Sequence, residues 1–268
     1  MKKTTMIKAT AALCMIAGQL QAQTLTMDAE IRSRSEFRDG FKKPLTYDEH
    51  SALVSVLRSR LNLLYSDDKT EVSLRLHDNR TYGETGISDT KSSLGLYEAW
   101  AKYKFTPQIS ATLGRQALEY DDKRIFSMAN WSNTGNSHDL LLLKYETQKL
   151  KVHFGTAWNN ASEVQAESAY TVSKSYKAMN IIWLEKPIGK ADITALWLND
   201  AFQRGTTPEL INKLSFRNTV GANILLGDKK QPLSVYATGY YQFGHNPGDE
   251  SLRAYLLALK AKYKMTPK

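Results

Sequence analysis

The chain has 268 residues, a formal net charge of +9 at pH 7, a mean hydropathy of −0.44 and one cysteine. No window holds the roughly 18 consecutive apolar residues of a membrane helix, which excludes a helical membrane protein but not a barrel, where only alternate residues meet lipid. Cys14 falls in the leader, so the rest of the chain has no disulfide framework, thiolate metal site or cysteine nucleophile.

Residues 1–22 read as a secretory signal. Lys2 and Lys3 open it, Ala9 to Gly18 is apolar, and Leu20-Gln21-Ala22 offers a cleavage site before Gln23. Lys2, Lys3 and Lys8 are lost with it, which leaves +6 on residues 23–268.

Twelve strands are predicted after the leader. The first, about Thr24 to Arg38, turns Leu25, Met27, Ala29 and Ile31 out, and Asp28, Glu30, Arg32, Arg34 and Glu36 in. The second, about Ser51 to Tyr65, turns Leu53, Leu57, Leu61 and Leu63 out, and Arg58, Arg60 and Asn62 in. The third, Thr70 to Asn79, has Val72, Leu74 and Leu76 out, and Glu71, Arg75 and His77 in. Leu94 to Tyr120 is a long hairpin about Thr106-Pro107-Gln108. There Tyr97, Ala99, Ala101, Tyr103 and Phe105 share the apolar face, and Glu98, Trp100, Lys102 and Lys104 the charged one.

The sixth strand, about His138 to Glu146, has Leu141, Leu143 and Tyr145 out and Lys144 in. The seventh, Leu150 to Trp158, has Lys151 and His153 in. The eighth, Tyr176 to Leu184, is apolar on both parities, so its facing is open. The remaining four are Ala191 to Asn199, Leu214 to Leu226 with Arg217 and Asn223 in, Leu233 to Phe243, and Leu252 to Tyr263 with Lys260 and Lys262 in. Connections alternate between short turns and long polar loops, and strands of about ten tilted residues match a bilayer. The fold class is therefore all-β, an antiparallel transmembrane β-barrel. AKYKFTPQ at 101–108 returns as AKYKMTPK at 261–268. Both read as a strand foot with a proline turn, so residues 23–268 are expected to be the front portion of a larger barrel.

Leu113-Gly114-Arg115-Gln116, then Tyr120, Asp121 and Arg124, then Trp131 and Asp139-Leu140-Leu141, resembles the alginate-export family of outer-membrane porins. Asp121-Asp122-Lys123 departs from the family pattern, which has glycine before the aspartate. The resemblance implies a monomeric barrel with an arginine-lined lumen that passes an anionic polysaccharide. Strict alternation would set Arg115 beside lipid with Leu113, at roughly 2–4 kcal/mol near the midplane. Either a bulge at Gly114 turns it inward, or it snorkels at the interface.

The candidate substrate path is the inward basic set: Arg32, Arg34, Arg58, Arg60, Arg75, Lys102, Lys144 and Arg217, with Arg115 if bulged. Guanidinium groups can hand carboxylates from one bidentate contact to the next. Asp28, Glu30, Glu36, Glu71 and Glu98 face the same way, and the alternative is a salt-bridged lumen with loops that bind a surface partner. A third reading is an outer-membrane hydrolase, but Ser137, His138 and Asp139 are strand neighbours and point to opposite faces. Asp121 and Asp122 are expected as a solvated cluster with Lys123 and Arg124, and Asn130-Trp131-Ser132 as a loop tip. No metal, cofactor or nucleic-acid partner is expected; the partners are outer-membrane lipid and an anionic sugar or small anion.

Overall fold

The computed structural model describes residues 23–89, 93–170, 172, 175–227 and 232–265; the leader read at 1–22 lies outside them. Twelve strands carry it: β1 (Thr24–Arg38), β2 (Ala52–Ser66), β3 (Thr70–Thr81), β4 (Leu94–Lys104), β5 (Ile109–Gln116), β6 (His138–Glu146), β7 (Lys151–Trp158), β8 (Ala178–Ile188), β9 (Ala191–Gln203), β10 (Leu214–Leu226), β11 (Leu233–His245) and β12 (Ser251–Tyr263). Strands adjacent in the chain are adjacent in one antiparallel sheet, and no helix occurs among the described residues. Strand β8 runs four residues beyond its predicted end, to a turn at Gly189 and Lys190.

The chain divides into two compact units. One holds the described residues up to Tyr103 with Arg115–Ala117 and Met128–Ser137. The other holds Lys104–Gly114, Leu118–Ser127 and the described residues from His138 onward.

In the first unit the alternation is plain. Leu25, Met27, Ile31 and Leu61 are exposed on one face, while Val56, Arg58 and Arg60 are buried on the other. Strand β4 breaks step once. Leu96 lies opposite Leu76 and Glu98 opposite Arg75, so Tyr97 is one residue too many. This β-bulge puts Tyr97 and Glu98 on the same side, both buried. Parity alone places Tyr97 on the outward face; the bulge reverses that.

In the second unit the outward faces again expose apolar side chains, as at Tyr255, Leu257 and Leu259 of β12. The inward face of β6, β8 and β9 is apolar too. Leu140, Leu142, Met179, Ile181, Trp183, Leu196 and Leu198 form a buried cluster with Leu118, Tyr120 and Phe126. This answers the open facing of β8: Met179, Ile181 and Trp183 point in, and Ile182 and Leu184 out. Each fully buried side chain of this kind contributes roughly 1.5–3 kcal/mol, so residues 118–127 are firmly seated. Gly114 of β5 has φ +121, where the sequence allowed a change of parity. Ser110, Thr112 and Gln116 stay buried, and Arg115 is half-buried.

Candidate functional site

The β5–β6 connection supplies the site in the first unit. Its residues 128–137 fold on themselves, with Ser132 N donating to Ala129 O (2.9 Å), Asn136 N to Met128 O (2.9 Å) and Gly135 N to Ser132 Oγ (2.8 Å). Gly135 has φ +76, and a Cβ there would stand 2.8 Å from Tyr97 Cε2 and 3.1 Å from Arg60 Nη2. Glycine is the residue that fits both the backbone and the space. Ala129 takes φ +45, the left-handed region that a Cβ disfavours.

Four of the predicted arginines grip this segment. Arg32 and Arg58 face each other directly across β1 and β2, where like charges repel. Both donate to the same two carbonyl oxygens, Asn130 O and Ser132 O; the Arg58 distances are 3.1 and 3.0 Å. Arg34 donates to Trp131 O at 2.9 Å. Arg60 donates to Asn130 Oδ1 (3.0 Å) and Thr134 O (3.2 Å) and lies over the Tyr97 ring. Acidic partners are few: Glu30 pairs with Arg58, and Glu36 with Arg34 and Arg38. Neither Arg32 nor Arg60 forms an ion pair among the described residues; neutral oxygens take their protons. Arg58 is 1% exposed and Arg60 8%. The Nε groups of Arg32, Arg58 and Arg60 are buried without a hydrogen-bond partner.

The other predicted residues have partners of their own. Arg75 pairs with Glu98 at 2.9 Å and Lys102 with Glu71 at 3.4 Å. Arg217 is held by both oxygens of Asp200 and stacks on Phe202. Arg115 lies close enough to His77, and Lys144 to His153 and Glu146, to act on them electrostatically.

In the second unit residues 118–127 carry two polar anchors. Asp121 Oδ1 accepts from Trp183 Nε1 (3.0 Å) and Thr194 Oγ1 (2.6 Å), and its Oδ2 from Tyr240 Oη (3.4 Å). Asp122 accepts from Arg124 Nε (2.6 Å) and Thr238 Oγ1 (3.0 Å). The expectation of a solvated acidic cluster is corrected here: donors from β8, β9 and β11 hold these carboxylates in place. Tyr120 Oη lies 2.9 Å from His153 Nδ1, and His153 Nε2 lies 2.9 Å from Glu146 Oε1. A carboxylate only accepts, so Nε2 carries the proton and, in the neutral imidazole, Nδ1 accepts from the tyrosine. Burial pushes the Tyr120 hydroxyl above its ordinary range, so it stays a donor. A cavity of about 370 Å3 opens beside Asp121 and Asp122, with Tyr236, Lys260 and Lys262 on its walls.

Sequence reasoning missed Tyr97, Asn130 and Gly135, and it read Asn130-Trp131-Ser132 as a loop tip. Trp131 is 76% exposed, but the carbonyls of all three residues are what the arginines hold. A signal was present: four arginines crowd the facing middles of two strands, where Arg32 and Arg58 pair directly, and so require an oxygen-rich neighbour from elsewhere.

The sequence model of a family described as alginate export matches residues 23–267. Among curated proteins none matches. Several solved structures are similar to this chain. The outer membrane channel DcaP of Acinetobacter baumannii is 12% identical, with a TM-score of 0.49 over 92% of this chain and 75% of that one. A loop L8 deletion mutant of OmpT, an outer membrane protein of Vibrio cholerae, is 14% identical, with a TM-score of 0.45 over 92% and 90%.

Proposed function

The chain belongs to the alginate export family, and from that premise we propose that it passes an anionic polysaccharide, or smaller anions, through a lumen lined by arginine. It is an outer-membrane β-barrel porin, and the task is passage rather than covalent chemistry. A single chain is the proposed working unit. The exposed apolar faces, such as Tyr255, Leu257 and Leu259 of β12, meet lipid.

One observation carries the anionic preference. On the inward face of β1 and β2 the positive charge exceeds the negative: Arg32 and Arg60 are bound to neutral oxygens, not to carboxylates. A neutral carbonyl satisfies a guanidinium proton without cancelling its charge. The surplus therefore acts on whatever ion comes near, and it acts more strongly against a low-dielectric wall than in water.

The second reading is a salt-bridged lumen, with the long loops binding a surface partner. The pairs Arg75–Glu98, Lys102–Glu71 and Arg217–Asp200 favour it. The test is the reversal potential of the protein in a planar bilayer under a potassium chloride gradient. Passage through a basic lumen gives a potential of the sign set by chloride. A potential near zero removes the anionic reading and leaves the second.

A further inference from the structure

We propose that residues 128–137 are a strap that an incoming polycarboxylate displaces from Arg32, Arg34, Arg58 and Arg60. The proposal rests on the anion-passing reading above and adds to it a regulation: the solute opens its own way by taking over the groups that hold the strap.

The bonds that seat the strap are of an exchangeable kind. They run from guanidinium donors to the carbonyl oxygens of Asn130, Trp131, Ser132 and Thr134 and to the Asn130 side-chain amide. A carboxylate brings the same donors an opposite charge, which a carbonyl does not, and it binds them in bidentate form. The arginines also have capacity to spare, because three buried Nε donors have no partner. A bidentate carboxylate would use an Nε and an Nη together, a geometry that the strap leaves unfilled.

The strap can leave as a piece. Its own turn is closed internally, by Asn136 N on Met128 O and Ser132 N on Ala129 O. Its apolar hold is slight: Trp131, its largest side chain, projects into the open. Ala129, at φ +45, sits in a conformation that release would relax. Residues 118–127, by contrast, are anchored by Leu118, Tyr120 and Phe126, so movement is confined to the part beyond Ser127.

The experiment uses the full chain in lipid nanodiscs and planar bilayers, with Trp131→Cys carrying an environment-sensitive fluorophore. Oligogalacturonate is the acidic probe, and a neutral maltooligosaccharide of equal length is the control. The expected result is a spectral shift with the acidic probe alone, at the concentrations that block the ion current. Gly135→Ala, which drives a Cβ against Tyr97, should give the shifted spectrum before any probe is added. If that variant does not fold, Asn130→Ala, which removes the Arg60 contact, should halve or further lower the probe concentration needed. Block of the current with an unmoved fluorophore overturns the strap and leaves anion passage standing. A shift with the neutral sugar as well also overturns it. Absence of both block and anion preference overturns the reading beneath it.

Discussion

The guanidinium of Arg60 lies 4.0 Å above the centre of the Tyr97 ring. Arg60 comes from β2 and Tyr97 from the bulge of β4, and the ring face takes the place of an acid. A desolvated contact of this type contributes about 2 kcal/mol.

Truncation of that ring should be costly. Tyr97→Ala is expected to lose about 3–5 kcal/mol, the usual loss for a buried aromatic. Tyr97→Phe keeps the face and gives up only the long 3.5 Å contact of Oη with Met128 O, about 0.5 kcal/mol. Urea unfolding from lipid vesicles measures both. Equal losses would mean that the hydroxyl, not the face, matters.

Removal of charge should separate the two groups of basic residues. Arg32→Gln with Arg60→Gln is expected to move the reversal potential toward zero. Removal of both partners of a matched pair, Arg75→Gln with Glu98→Gln or Arg217→Gln with Asp200→Asn, should leave it close to wild type, since each pair carries no net charge. The reverse pattern would assign the selectivity to the paired set.

Glu98 is buried and accepts both Arg75 Nη1 at 2.9 Å and Ala117 N at 2.7 Å. Glu98→Ala leaves a backbone donor unmet and a cation alone. Breaking a fully buried pair costs about 3–5 kcal/mol, but the Arg75 side chain is 40% exposed and rehydrates. A loss of about 2 kcal/mol is expected from the orphaned donor and the weakened pair. Glu98→Gln, which still accepts from Ala117 N, should lose less in the same unfolding assay.

Asp121 tests the second unit. Its φ of +52 suits aspartate or asparagine better than alanine. Asp121→Asn should keep the backbone and one acceptor, while Asp121→Ala frees the Trp183 and Thr194 donors and costs about 2–3 kcal/mol. The tryptophan emission reports it: a red shift is expected for alanine and little change for asparagine.

Acid should loosen the β11–β12 loop first at Asp249. Hydrogen bonds from Ser215 and Arg204 hold its carboxyl below the usual aspartate range. A depressed carboxylate stabilises the fold at pH values above its ordinary pKa, about 3.9, and that contribution fades as pH falls through the lowered value. Proteolysis at residues 246–250 should therefore quicken on acidification below pH of about 4. Asp249→Asn should be cut at a rate that no longer depends on pH in that range.

The strands were legible because a transmembrane strand meets lipid on one side and polar groups on the other, and the period of two follows. The bounds of β1, β6 and β10 agree to the residue. What could not be read lies in relations between segments. The inward turn of Tyr97 is a difference in length between β3 and β4, which no pattern within β4 contains. The facing of Ile181 and Trp183 in β8 stayed open because the partner that covers them, residues 118–127, is rich in charge. The sequence offered the basic residues as a candidate inward set, with Arg115 on condition of a bulge, and did not say which of them meet acids and which meet carbonyls.

The surplus residue in β4 has a consequence for chain length. With Leu96 opposite Leu76 and Glu98 opposite Arg75, deletion of position 97 would let the two strands zip without a step, and every remaining side chain would keep its side. The wall would survive as a plain ladder, without the ring that seats one cation and stacks on His77.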